Sequence, residues 1–155
     1  MGRIKANIPF GTSTMANHIA EKAKTAGFQP FLIKKIHQNI PSTFPILIEE
    51  EDRHHALLGI KTAMQHSPSE LFLVLPCDAP YLSLESLSLF RQASAPVVAF
   101  HNGIHPLIGV YSTKDLHRAQ YFIEQSHSMK HFCQSFAQMD CSSTDVRNIN
   151  YPEDL

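Results

Sequence analysis

Residues 71–83 read LFLVLPCDAPYLS, and the fold follows from how this stretch is parsed. Its first five residues form a continuous apolar run, the mark of a strand covered on both faces. PCDAP comes next and sets Asp78 just past that strand, between Pro76 and Pro80. Proline fixes its own φ and biases the residue before it toward extended geometry, so this carboxylate rides on a stiff hook. Ser83 then has the chemistry of an N-cap for a helix running through Leu87 and Phe90. The unit is strand, rigid acidic loop, helix.

The same alternation extends in both directions. Upstream, a helix begins at Thr12 or Ser13 and carries Met15, Ile19, Ala23 and Ala26 on one stripe, with Gly27 placed for a left-handed cap. FLI (31–33) and ILI (46–48) predict short strands, the second running into the acidic cluster EEED (49–52). ALLGIKTAM places Leu57, Ile60 and Met64 at helical spacing. Downstream, PVVAF (96–100) and LIGVY (107–111) bracket a turn at Gly103 and predict two strands in an antiparallel excursion. Two further helices present Leu116, Ala119 and Ile123, then Met129, Phe132, Cys133 and Phe136. These stripes are core. Alternating strands and helices predict an α/β domain with a mostly parallel sheet and helices on both faces, without repeats or a dividing linker.

Composition narrows the function classes. The 155 residues are 43% apolar and 17% charged, within the globular range. Thirteen Lys and Arg against 14 Asp and Glu give no excess charge to recommend nucleic acid or a membrane surface. Three cysteines (Cys77, Cys133, Cys141) lack CxxC spacing, so reduced thiols in a soluble, cytoplasmic protein are expected rather than a disulfide framework or zinc knuckle. No signal peptide or membrane span is apparent in the sequence.

Chemistry in open α/β sheets collects beyond the carboxyl ends of the strands. Asp78 sits there and suits Mg²⁺, which takes one or two carboxylates together with phosphate oxygens. The competing reading is a turn aspartate bonding its own backbone. Lys5 lies in an opening loop, MGRIKANIPFGT, where it would neutralise phosphate, or remain a solvated surface lysine. EEED offers a metal ligand, acceptors for a base edge, or a solvated acidic loop. His54-His55 lacks a partner at metal-ligand spacing. His105-Pro106 marks a ligand-facing strand or a turn. Asn148 and Asn150, two apart in NINYPEDL, share a side if extended, to grip a polar ligand or to tie down the chain end. No serine occupies a G-x-S-x-G elbow, so a covalent mechanism finds no obvious nucleophile.

Taken in order, these segments resemble the MobA-type molybdenum cofactor guanylyltransferases, within the nucleotidyltransferases of Rossmann-like, three-layer fold. MGRIKA is similar to the tail of that family's L-x-G-G-x-S-x-R-M-G-x-D-K-A signature, and HALLGI to its G-P-L-x-G-I segment. LPCDAPYLS resembles its C-D-x-P-x-[IL] hook, HPLIGVY its H-P-L-x-G-[LV]-Y strand, and NINYPEDL its N-x-N-T-P-E-[DE] ending. The resemblance implies transfer of GMP from GTP to the terminal phosphate of molybdopterin, with pyrophosphate released. It implies Mg²⁺ on Asp78, Lys5 on the nucleotide phosphates, and Lys34 with Glu50 or Asp52 near the nucleotide. His105, Asn148 and Asn150 would lie toward the pterin. Cofactor-biosynthesis proteins and acceptor molybdoenzymes are implied as further partners.

Departures from the family pattern leave alternatives open. Ile4 stands in place of the signature's Asp, His55-Ala56 in place of Gly-Pro, and Tyr151 in place of Thr. The family's first strand and its L-x-G-G loop have no counterpart in residues 1–155, so the single domain is expected to be N-terminally incomplete. Five buried aliphatic residues contribute roughly 7–15 kcal/mol, comparable to a domain's whole net stability of about 5–15 kcal/mol. Without that strand the chain is expected to fold poorly alone, leaving two internal sheet edges unpaired. The alternatives are a non-catalytic remnant or partner-binding module of the same fold, and a nucleotidyltransferase using CTP or a sugar phosphate.

Overall fold

The computed structural model describes residues 4–149. A 3₁₀ turn at Lys5–Asn7 leads into a small hairpin, β1 (Pro9–Phe10) and β2 (Ser13–Thr14), reversed through Gly11 at φ 58°. The first helix, α1 (Met15–Thr25), therefore starts a little later than its sequence suggests, because Ser13 and Thr14 are committed to the hairpin. Thr14 caps it by accepting the Asn17 N–H at 3.4 Å.

The end of α1 matches the expectation closely. Gly27 has φ 90°, its N–H bonds the Lys24 carbonyl at 2.9 Å, and the Phe28 N–H reaches back to Ala23 at 3.1 Å. That pair of bonds is a Schellman cap, and the left-handed residue inside it disfavours any Cβ. A Cβ on Gly27 would also lie 2.8 Å from the Arg91 guanidinium carbon. Gly27→Ala is expected to cost about 1–2 kcal/mol, read as a lowered urea midpoint at unchanged m-value.

The following elements are β3 (Leu32–Lys34), β4 (Ile46–Ile48), α2 (Ala56–His66), β5 (Leu71–Val74), α3 (Leu84–Arg91), β6 (Val97–Phe100), β7 (Ile104–Ser112), α4 (Leu116–Glu124), α5 (Met129–Phe132) and β8 (Ala137–Asp140). β3 and β4 pair in parallel. The larger sheet has the order β5-β7-β6-β8, with β7 antiparallel to both neighbours and β6 parallel to β8. β5, β6 and β8 therefore run the same way, and β7 is the antiparallel excursion expected around Gly103. The turn uses Asn102 and Gly103 at positive φ. Pairing then slips: Val98 faces Gly109, but Ala99 faces His105. Pro106 lies within the slipped stretch, where a residue without an N–H cannot serve the ladder.

Both faces of this sheet are covered. Phe72 and Val74 point into a core built by Leu57, Ile60 and Met64 of α2, Ile123 of α4 and Phe132 of α5. Leu71 and Leu73 point into the other core, with Leu87 and Phe90 of α3. This is the α/β layering expected from the sequence. The four residues of β5 are nevertheless only half-buried, whereas Val97, Val98 and Ala99 of β6 are buried. Among the described residues β5 pairs only with β7, and β3 only with β4, so the partial exposure comes from the strand edge rather than the faces. Among the described residues no helix is long and apolar enough to cross a membrane.

Candidate active site

The shared direction of β5, β6 and β8 puts the segments that follow them, residues 75–83, 101–103 and 141–149, at one end of the sheet. Asp78 lies in the first. Its carboxylate accepts a bond from the Lys5 Nζ at 3.0 Å, joining residues 73 apart in sequence. The Lys5 side chain is 38% exposed and that of Asp78 19%, so the pair faces solvent rather than sealing a core. The 3₁₀ turn that carries Lys5 is fixed by Ala6, buried against Ala16 of α1 and Ile40.

Three contacts hold the hook itself. The Ile149 N–H donates to the Asp78 carbonyl at 2.7 Å, the Lys22 Nζ to the Pro80 carbonyl at 2.7 Å, and the Ser83 N–H to Asp145 Oδ1 at 2.7 Å. Burial pushes Lys22 below the usual lysine range, and Asp145 opposes that shift. Burial also disfavours the Asp145 anion, but bonds from Ser142 and Ser83 outweigh it and hold the carboxyl below its ordinary range. Beside Asp78, burial and then the neighbouring carboxylate push the Cys77 thiol up to about 11. It stays protonated at neutral pH and makes a poor nucleophile.

A divalent ion here would not find an all-protein cage, since among the described residues no three His, Cys, Asp or Glu converge on one point. One half-buried carboxylate that leaves most of the coordination to phosphate oxygens and water suits a hard divalent cation.

A family model for the MobA-like NTP transferase domain matches residues 1–139. The chain belongs to this family. It is 43% identical over 63 residues to the probable molybdenum cofactor guanylyltransferase of Flavobacterium johnsoniae, a match spanning 37% of this chain and 33% of that protein. Against the Rhodopirellula baltica protein of the same description, identity is 24% with all of this chain and 83% of the relative covered. The crystal structure of molybdopterin-guanine dinucleotide biosynthesis protein A from Archaeoglobus fulgidus superposes with a TM-score of 0.77 at 15% identity, covering 99% of this chain and 87% of that one. The fold is thus that of MobA-like nucleotidyltransferases.

Of the residues singled out in the sequence, Lys5 and Asp78 meet directly, and the Ile149–Asp78 bond fastens the backbone adjoining Asn148, an exposed residue, to the hook. The others make contacts of their own. The Lys34 Nζ donates to the Gln38 carbonyl at 2.7 Å, folding back on the loop after β3. Glu50 lies 3.9 Å from Lys61, and Asp52 lies 3.7 Å from Lys35 and 3.2 Å from His37. The acidic run is therefore laced with cations, and Lys35 also bonds the Asp52 and Arg53 carbonyls. The His105 ring bonds the His101 carbonyl at 3.2 Å, at the β6–β7 turn. Asn150 lies outside the described residues. His55, which departs from the family's glycine, caps α2: its Nδ1 accepts the Leu57 N–H at 3.2 Å and its Nε2 bonds the His127 carbonyl at 3.0 Å.

Lys22 and Asp145 escaped the sequence reading. Lys22 carries no local signal, being one of several lysines on a helix. Asp145 does carry one, because Ser142-Ser-Thr-Asp145 has the S-x-x-D spacing of a capping box.

Proposed function

We propose that this chain transfers GMP from GTP to the terminal phosphate of molybdopterin, forming the guanine dinucleotide of the cofactor and pyrophosphate. The observation that carries the reading is the Lys5–Asp78 pair at the end of β5, in a chain whose relatives are described as molybdenum cofactor guanylyltransferases. In-line displacement at phosphorus needs positioning and charge neutralisation more than covalent chemistry. Asp78 would hold a divalent ion, Mg²⁺, whose contribution is to orient and neutralise phosphate oxygens. Lys5 would share its charge between Asp78 and the incoming phosphates. Lys34, Glu50 and Asp52 would line the nucleotide side, where carboxylate acceptors suit the ring N–H groups of guanine. His105, Asn148 and Asn150 would face the pterin. Residues 1–155 belong in this reading to a cytoplasmic nucleotidyltransferase domain that hands its product to proteins of cofactor assembly and to acceptor molybdoenzymes.

Ligand-dependent melting tests the donor. At a hundred times its Kd a nucleotide adds about 2.7 kcal/mol, which raises Tm by roughly 5–10 °C for a domain of this size. GTP with Mg²⁺ is expected to give that shift and CTP a much smaller one. Radiolabel from α-labelled GTP is then expected in a molybdopterin product. A larger shift with CTP would move the assignment to a cytidylyltransferase. No shift with either nucleotide at millimolar concentration would favour a non-catalytic remnant.

A further inference from the structure

We propose that Asp145 is a positioning residue that clamps the chain after β8 onto the Asp78 hook, so that Asp78 and Asn148 behave as one site. Asp145 is only 5% exposed. Its Oδ1 accepts the Ser83 N–H at 2.7 Å, on the hook side. Its Oδ2 accepts the Ser142 N–H at 3.1 Å and the Ser142 hydroxyl at 2.7 Å, on the loop side, and the Asp145 N–H returns a bond to that hydroxyl at 3.1 Å. One carboxylate thus ties together two segments 62 residues apart.

The second tie is Ile149 N–H to the Asp78 carbonyl, so Asn148 lies between two points fastened to the hook. Neither residues 75–83 nor residues 141–149 belong to a strand ladder. Apart from these two ties the segments meet through apolar and ring contacts, Val146 with Ala79 and Leu82, Ile149 with Tyr81, and Arg147 over the Tyr81 ring at 5.2 Å, which lack the directionality to fix register. A neutral side chain cannot replace the carboxylate. An amide has a single acceptor oxygen, and its NH₂ would point a donor at other donors.

The consequence for catalysis rests on the guanylyl-transfer reading; the clamp itself does not. Asp145→Asn in the full chain separates the two. Amide hydrogen exchange at Ile149 and Ser83 is expected to accelerate at least about tenfold, while the core amide of Tyr111 is unchanged. Mn²⁺, used as a probe of the divalent site in the presence of GTP, is expected to bind about tenfold more weakly. kcat should fall more than the KM for GTP rises, because the loss lies in alignment. Ser142→Ala removes only the loop-side hydroxyl and should move the same readouts in the same direction by less; it serves if Asp145→Asn does not fold. Exchange that stays unchanged at Ile149, or that accelerates equally at Tyr111, overturns the clamp. Wild-type protein that binds no Mn²⁺ with GTP would overturn the functional reading instead, while the exchange result still decides the role of Asp145.

Discussion

Asp78→Asn is expected to lower guanylyl transfer about 10³-fold, equivalent to about 4 kcal/mol of transition-state stabilisation. The substitution is close to isosteric, and the backbone contact that fixes the hook, Ile149 N–H to the Asp78 carbonyl, is untouched. Lys5 loses a partner at 3.0 Å, but with its side chain 38% exposed it remains hydrated. The stability change should therefore stay within about 1 kcal/mol, and the loss should belong to chemistry rather than folding. Pyrophosphate release from GTP and molybdopterin measures the first quantity, and thermal unfolding of the same preparation the second. Because Asp78 is the carboxylate proposed to hold the divalent ion, the variant should also need more Mg²⁺ for half-maximal rate. A variant that kept the wild-type rate at limiting Mg²⁺ would place the metal elsewhere and remove the basis for the proposed mechanism.

How far the sequence could be read depended on whether the signal was local. The hook was legible because two prolines and a preceding apolar run lie within ten residues of each other. The Gly27 cap was legible because a periodic stripe ends one residue before a glycine. The β6–β7 excursion was legible from two apolar runs on either side of Gly103. By contrast, the start of α1 was misjudged because Ser13 and Thr14 make good caps and equally good hairpin residues, and only the partners Pro9 and Phe10 decide between them. For Asp145 the local S-x-x-D spacing announces only its bonds to Ser142, while its link to the hook, the Ser83 N–H 62 residues away, has no local sign. Lys34, Glu50 and Asp52 were placed by motif position alone. Their partners, Gln38, Lys61, Lys35 and His37, depend on a loop geometry that no periodicity encodes.

The glycine of HPLIGVY makes the strongest demand on the fold. A Cβ on Gly109 would stand 2.6 Å from the Val97 carbonyl oxygen, 2.9 Å from Val98 Cγ1 and 3.1 Å from Val98 Cα. Two of these are backbone atoms of β6, which is held between β7 and β8 and has little room to retreat. Gly109→Ala is therefore expected to cost about 3 kcal/mol of overpacking, lowering Tm by roughly 6–12 °C. Gly109→Val should be worse, and Gly27→Ala milder, since Gly27 meets only the movable end of Arg91. Gly109 is also in register with Val74 of β5, four residues before Asp78. Any shift of β7 that relieves the clash on β6 is thereby passed to the strand that carries the hook. Activity measured well below the lowered Tm should then fall as well, through misplacement of Asp78. A Gly109→Ala protein that melted within about 2 °C of wild type, a shift worth under 1 kcal/mol, would mean that β6 and β7 can separate at little cost. The sheet could not then be the rigid platform on which Asp78 and Lys5 are aligned.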